Sequence, residues 1–96
     1  YGDAMIRSFK CRKTERLLAG ERVREFAAFA DQAAKRLRIL NSAEQRNDLA
    51  ALPSNRFEAL AGDRAGQYSI RANRQWRLCF RWGPDGPYDV EMVDYH

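Results

Sequence analysis

The sequence predicts an α+β fold, in which an amino-terminal strand and helices pack on one face of a twisted, mainly antiparallel sheet. Apolar residues recur at helical spacing in the first half of the chain and alternate in the second half. The spacing of the apolar residues changes from helical to alternating at Pro53-Ser54-Asn55, a sequence that ends helices. The 96 residues are 45% hydrophobic, which suffices for one core. We therefore expect a single domain over residues 5–96, with residues 1–4 a cloning remnant before a natural start at Met5.

Two short elements are expected at the amino terminus. Residues 5–10 alternate between apolar and polar side chains and predict a short edge strand. Thr14 is a candidate N-cap for a short helix that continues to about Ala19. Gly20 then ends that helix, because glycine adopts the left-handed conformation that closes helices.

Two further helices are expected before the break. From Val23 onwards, apolar residues are spaced by three, four and seven positions. This spacing predicts one amphipathic helix of about sixteen to eighteen residues that starts near Val23. Its apolar side contains Val23, Phe26, Ala30, Ala33, Leu37 and Leu40. Basic residues 35, 36 and 38 suit the negative end of its dipole. Ser42 and Gln45 form a capping-box pattern for a third short helix that continues through Leu49.

Four strands follow, with turns between them. We expect strands at 57–61, 67–72, 75–82 and 88–95, with turns at 62–66, 73–74 and 83–87. Alternation places one apolar set on a single face: Tyr68, Ile70, Trp76, Leu78, Phe80, Trp82, Val90 and Met92. We expect this face to pack against the helix residues Phe26, Ala30, Leu37 and Leu40.

The opposite face of the same strands carries cations. Alternation places Arg71, Arg77, Arg81 and Tyr95 there, with Arg74 at a hairpin tip and Arg56 and Arg64 on flanking loops. Arginines with an aromatic ring nearby can hold phosphates and stack a base, which predicts RNA binding. The alternative is an ordinary polar face in which these arginines pair with Glu91 across strands.

Composition and charge further limit the partners and cofactors to be expected. The formal net charge is +4, from 17 basic and 13 acidic residues, and a basic balance favours an anionic partner. No apolar run approaches the about 18 residues of a membrane span, and no signal peptide is evident, so we expect a cytoplasmic protein without a membrane partner. Cys11 and Cys79 lie outside any metal-ligand pattern, and we expect neither a metal nor a cofactor.

Four stretches of the sequence resemble one known family, the HigB toxins of the RelE/ParE superfamily. They are Asn55–Arg71 with its Gly-Asp-Arg turn, Trp76–Phe80, the ending Val93–His96 and the opening Met5–Phe9. The resemblance covers essentially all of residues 5–96. It implies a microbial-RNase-like fold and an endoribonuclease that cuts messenger RNA in the ribosomal A site, as the toxin of a type II toxin–antitoxin pair.

The resemblance also implies site residues. Asp94, Tyr95 and His96 match the family's carboxy-terminal functional cluster, and Arg77 matches its strand arginine. Well-known members place a His and a Lys just before the Gly-Asp-Arg turn, where this chain has Glu58 and Ala61.

Roles follow from these matches. Arg77 would clamp phosphate, His96 would act as acid or base, Tyr95 would stack or orient, and Asp94 or Glu58 would carry the second proton. The alternative for Glu58 is an ion pair with a neighbouring Arg. Because this chain lacks the His and Lys that well-known members place before the Gly-Asp-Arg turn, the resemblance implies weak or ribosome-dependent cleavage.

The implied partners are the ribosome with its messenger RNA and a HigA-like helix-turn-helix antitoxin. Operator DNA would be contacted only through that antitoxin. Two other functions remain open from the sequence. One is a non-catalytic inhibitor of a protein such as gyrase, resembling ParE, and the other is a plain RNA- or ribosome-binding domain.

Overall fold

The computed structural model describes residues 5–94, and its secondary structure follows the predicted order of helices before strands. Three α-helices form the first half: α1 (Arg12–Leu18), α2 (Ala30–Ser42) and α3 (Arg46–Ala50). Four strands form the second half: β1 (Glu58–Ala59), β2 (Tyr68–Arg71), β3 (Trp76–Gly83) and β4 (Gly86–Asp94). Short 3₁₀ helices occupy Arg24–Phe29, Pro53–Asn55 and Gly62–Arg64. The α+β prediction is confirmed.

The four strands form one antiparallel sheet in the order β1-β2-β3-β4. β2 and β3 pair in register from Tyr68 with Phe80 to Arg71 with Arg77. The β3–β4 register shifts between Cys79 and Arg81, where Asp89 has a φ of 53°. This bulge reverses the alternation of β4, so Tyr88 lies beside Arg81 and is exposed instead of joining the apolar face as predicted.

The core lies between α2 and one face of the sheet, as the two periods predict. Its fully buried side chains include Leu37, Leu40, Ile70, Leu78, Phe80 and Val90. Trp76 covers one end of this layer, with its ring centroid 5.5 Å from Phe26 and 5.3 Å from Phe29. The helix layer thus covers one face of β3 and leaves the other face to polar side chains.

The long predicted helix is divided into a 3₁₀ turn and α2. Val23, Phe26 and Phe29 are spaced by three, which matches the period of a 3₁₀ helix and brings all three to the core. The backbone then changes at Phe29 (φ −135°, ψ 28°), and the α-helical period begins at Ala30. The prediction of one continuous helix was therefore wrong, although its buried face was right.

Two predicted caps were also wrong. Thr14 is not an N-cap but a buried residue inside α1, where its Oγ1 accepts the Met92 N–H at 3.0 Å. The predicted pair of Ser42 and Gln45 does not begin α3. Instead, the Asp48 carboxylate accepts the N–H groups of Glu44 and Gln45, each at 3.0 Å.

Residues 5–10, predicted as a short edge strand, lie along the outer edge of β4 but form only an isolated parallel bridge between Phe9 and Val90. The Val90 N–H donates to the Ser8 carbonyl at 3.1 Å, and the Asp89 N–H donates to Ser8 Oγ at 2.9 Å. The bulge at Asp89 prevents a longer ladder. No helix within residues 5–94 has the length and apolar character to cross a membrane.

Candidate functional site

The sheet face turned away from α2, here called the arginine face, carries the predicted site. Strand register places Arg71 directly opposite Arg77, and Ser69 opposite both Glu58 and Cys79. Ser69 and Cys79 are fully buried despite this outward direction. Long charged side chains therefore cover the middle of the face.

Arg77 is the most firmly held cation on this face. Its Nε donates to Ser69 Oγ at 2.7 Å, and its Nη2 donates to the Arg56 carbonyl at 2.7 Å. The same Nη2 lies 3.4 Å from Glu58 Oε1. The Arg77 side chain is only 14% exposed, whereas that of Glu58 is 58% exposed. The structure therefore brings two predicted site residues together, a fixed guanidinium and an accessible carboxylate.

The segment that positions Arg56 and Glu58 depends on one buried amide. Asn55 is fully buried at the end of the Pro53–Asn55 turn; its Nδ2 donates to the Leu49 carbonyl at 3.0 Å, and its Oδ1 accepts Arg36 Nη1 at 2.6 Å. Arg56 then adopts a left-handed backbone (φ 49°, ψ 48°), which is unusual for a residue with a side chain. This bend presents the Arg56 carbonyl to Arg77.

Two of the predicted RNA-binding arginines are neutralised by acids. Arg64 Nη1 donates to Gln67 Oε1 at 3.0 Å and lies 3.3 Å from Glu91 Oε2. Arg81 Nε lies 4.0 Å from Asp89 Oδ2. The pairing with Glu91 considered from the sequence therefore occurs at Arg64, not at Arg77.

The other predicted RNA-binding arginines gather at the β2–β3 hairpin. Arg71 is half-buried, and its Nε donates to the Asn73 carbonyl at 3.0 Å. Arg74 is exposed in the hairpin loop, and Arg56 is exposed on the loop that enters β1. They border one groove together with Arg36 of α2, for which the sequence pattern predicts only a favourable interaction with the helix dipole. Arg36 has no periodic signal for this role, because its position depends on how α2 meets the hairpin.

The predicted carboxy-terminal cluster is only partly described. Asp94 pairs with Trp76 in the β3–β4 ladder, and its Oδ2 accepts Gln75 Nε2 at 3.0 Å. This register places Asp94 on the helix side of the sheet, whereas Arg77 lies on the arginine face. Tyr95 and His96 lie outside the described residues, so their roles stay predictions.

Cys79 offers no nucleophile at neutral pH. Burial, which disfavours the charged thiolate, raises its pKa to about 11, and the nearby charge of Arg64 opposes this shift only in part. The described residues contain no group of three or more His, Cys, Asp or Glu side chains that could hold a metal ion. Among the described residues, the charged groups that the arginine face offers to a ligand are guanidinium and carboxylate groups.

The chain matches a family model over residues 7–96, described as the RelE-like toxin of the type II toxin–antitoxin system HigB. Over 48 residues it is 48% identical to Toxin HigB-1 of Vibrio cholerae serotype O1 (strain ATCC 39315 / El Tor Inaba N16961). That alignment includes 50% of this chain and 50% of the relative, so the chain spans about half the length of the curated relative it matches.

Proposed function

The chain belongs to the family of RelE-like HigB toxins of type II toxin–antitoxin systems, and on that premise we propose that it is a ribosome-dependent endoribonuclease. It would cut messenger RNA and thereby inhibit translation and growth in the cytoplasm. The observation that carries this proposal is the Arg77 guanidinium, fixed by Ser69 and the Arg56 carbonyl beside the exposed Glu58 carboxylate. A HigA-like antitoxin would be its protein partner, and operator DNA would be reached only through that antitoxin.

The proposed reaction is attack of a ribose 2′-hydroxyl on the adjacent phosphorus. The new O2′–P bond forms as the P–O5′ bond breaks, leaving a 2′,3′-cyclic phosphate and a free 5′-hydroxyl. The 2′-hydroxyl proton passes to Glu58, and His96 returns a proton to the leaving O5′. Arg77 stabilises the charge that develops on the pentacoordinate phosphate, and Tyr95 stacks on or orients the neighbouring base.

Glu58 is a better candidate than Asp94 for the proton acceptor in this scheme. The Glu58 carboxylate lies 3.4 Å from the Arg77 guanidinium and is largely exposed to an incoming ribose. Asp94 is paired in register with Trp76 and accepts a hydrogen bond from Gln75, on the helix side of β4. We therefore assign Asp94 a supporting role at the end of β4.

The test maps messenger RNA 5′ ends after brief induction of the full chain in growing bacteria. We expect new 5′ ends within translated regions. Glu58→Gln and Arg77→Lys should each reduce cleavage by about 10²–10³-fold, as loss of a group that acts only in the transition state does. Arg81→Lys is the matched control for Arg77→Lys, because it makes the same change on the same strand and should cleave like the parent.

Thermal melting of each purified variant separates a lost function from a lost fold. Growth arrest with intact messenger RNA would contradict the proposal and favour a protein target such as gyrase. Full cleavage by a folded Arg77→Lys variant would show that the Arg77 guanidinium does not contribute to the reaction.

A further inference from the structure

A groove beside the proposed reaction site concentrates positive charge. It lies between α2, the loop after Pro53–Asn55 and the β2–β3 hairpin, with a volume of about 350 Å³. Its polar lining consists mainly of Arg36, Ser54, Arg56, Arg71, Asn73 and Arg74. Among the residues that the structure describes, this lining contains neither a carboxylate nor an aromatic ring.

The four arginines of this lining, here called the groove arginines, are Arg36, Arg56, Arg71 and Arg74. Within the described part of the chain none of them forms an ion pair, whereas Arg64, Arg77 and Arg81 on the arginine face all do. Like charges held together without counter-charges repel one another and oppose folding. An anion bound among them would remove that repulsion.

Two groove arginines have side chains that are already oriented. Arg36 donates to the buried Asn55 at 2.6 Å, and Arg71 donates to the Asn73 carbonyl at 3.0 Å. Each of these bonds uses one nitrogen of a guanidinium that has several donors. The remaining donors suit the fork-like recognition of phosphate oxygens, with little ordering left to occur on binding.

The groove is continuous with Arg77. Arg71 pairs with Arg77 across β2 and β3, and Arg56 borders the groove while its carbonyl accepts the Arg77 guanidinium. If a chain of linked phosphates places one phosphate at Arg77, its neighbouring phosphates would therefore contact the groove arginines.

We infer that this groove is a second phosphate-binding site, which takes the sugar–phosphate backbone of single-stranded RNA next to the scissile phosphate. The inference rests on the proposed function, because that function identifies the polyanion as RNA. The described lining offers guanidinium groups for phosphate and no aromatic platform for a base, so we expect the groove to bind RNA without sequence preference.

The test measures the affinity of the purified full chain for 2′-O-methyl RNA, which lacks the attacking hydroxyl, with oligonucleotides of about ten nucleotides. Arg36→Gln and Arg74→Gln should each lower affinity about three- to tenfold and reduce the slope of log affinity against log salt by about 0.7. Uridine-rich and adenosine-rich oligonucleotides should lose affinity equally. Arg38→Gln is the matched control, since it removes the same charge from an exposed position of α2 outside the groove.

Each outcome of this test decides the inference. Groove variants that bind like Arg38→Gln would overturn it, even if the parent cleaves messenger RNA. A chain that fails to cleave but loses RNA affinity through Arg36 and Arg74 would refute the proposed function and leave the groove site standing. Binding of a hexaglutamate peptide but not of RNA, with the same dependence on Arg74, would reassign the groove to an acidic protein partner.

Discussion

Arginines at the two ends of the arginine face differ in what neutralises them. At the Gly62–Arg64 end, Arg64 and Arg81 lie against Glu91 and Asp89. At the hairpin end, Arg56, Arg71 and Arg74 border a groove that α2 completes with Arg36, and the described lining of this groove contains no carboxylate. Residue type alone made Arg56, Arg71 and Arg74 candidates for RNA binding equal to Arg64 and Arg81. The comparison teaches that Asp89 and Glu91 of β4 neutralise arginines at one end of this face, whereas the described arginines of the groove form no ion pair and are available to a ligand.

The largest effect is expected from removing the amide that supports the hairpin end. Asn55→Ala should lower the free energy of unfolding by about 3 kcal/mol, because it leaves the Leu49 carbonyl and Arg36 without their buried partner. Urea denaturation measures the loss. Asn47→Ala, at an exposed position of α3, is the control and should change stability by at most about 0.5 kcal/mol. Equal stability of the two variants would show that the loop does not depend on Asn55.

A pH-dependent effect is expected at Cys79, which lies between the two ends. The pKa of its thiol is about 11 in the folded chain and about 9.0 when exposed. Below pH 9 both states are protonated, and the stabilising effect is complete. As pH rises from 9 to 11 the unfolded chain loses its proton first, so stability falls.

The variant Cys79→Ala removes the thiol and so isolates its contribution to the pH dependence of stability. The unfolding free energy of the parent minus that of the variant should decrease by about 1–2 kcal/mol between pH 8 and pH 11. Leu78→Val, on the same strand and without a titratable group, should show a constant difference from the parent. A pH-independent difference for Cys79→Ala would place the thiol in water.

A smaller effect is expected from removing the acid that pairs with Arg64. This change should make the Gly62–Arg64 end of the arginine face a second RNA-binding surface. Glu91 Oε2 lies 3.3 Å from Arg64 and 3.8 Å from Lys10, so Glu91→Gln releases both cations. We expect RNA affinity to rise several-fold and the salt slope to steepen by about 0.7 for each released cation that meets a phosphate. Glu44→Gln makes the same charge change at an exposed site and should leave the slope unchanged. An equal gain in both variants would mean that net charge alone controls binding.

The smallest effect is expected at Arg81. Its contact with Asp89 is long and exposed, and such pairs contribute about 0–1 kcal/mol. Arg81→Gln should therefore change neither the melting temperature nor the RNA salt slope measurably. A loss of slope equal to that of Arg74→Gln would abolish the distinction between the two ends.

The parts of the fold that follow a period could be predicted from sequence. The alternation of β3 identified the buried Leu78 and Phe80, and it placed Arg77 on the opposite face. The bulge at Asp89 could not be predicted, because a positive φ at a residue other than glycine has no periodic signal. Tyr88 was consequently assigned to the wrong face.

The candidate site was predictable in its residue types but not in its pairings. Arg77 and Glu58 are 19 positions apart, and they meet because β1 is a two-residue strand that pairs with β2 at Ser69. Arg36 was missed because helical spacing explained it without reference to the hairpin. Both contacts depend on tertiary packing, which sets where a short strand and a helix side approach the sheet.

The hydrogen bonds that residues 8 and 14 make to the outer edge of β4 affect whether one molecule can pair with another through its sheet edge. The outward N–H groups of Val90 and Met92 are taken by the Ser8 carbonyl and by Thr14 Oγ1. At the other edge, β1 is only two residues long. Long unpaired strand edges recruit neighbouring chains, and among the described strands neither edge of this sheet provides one. Edge-to-edge pairing between copies of this toxin is therefore disfavoured along the described strands.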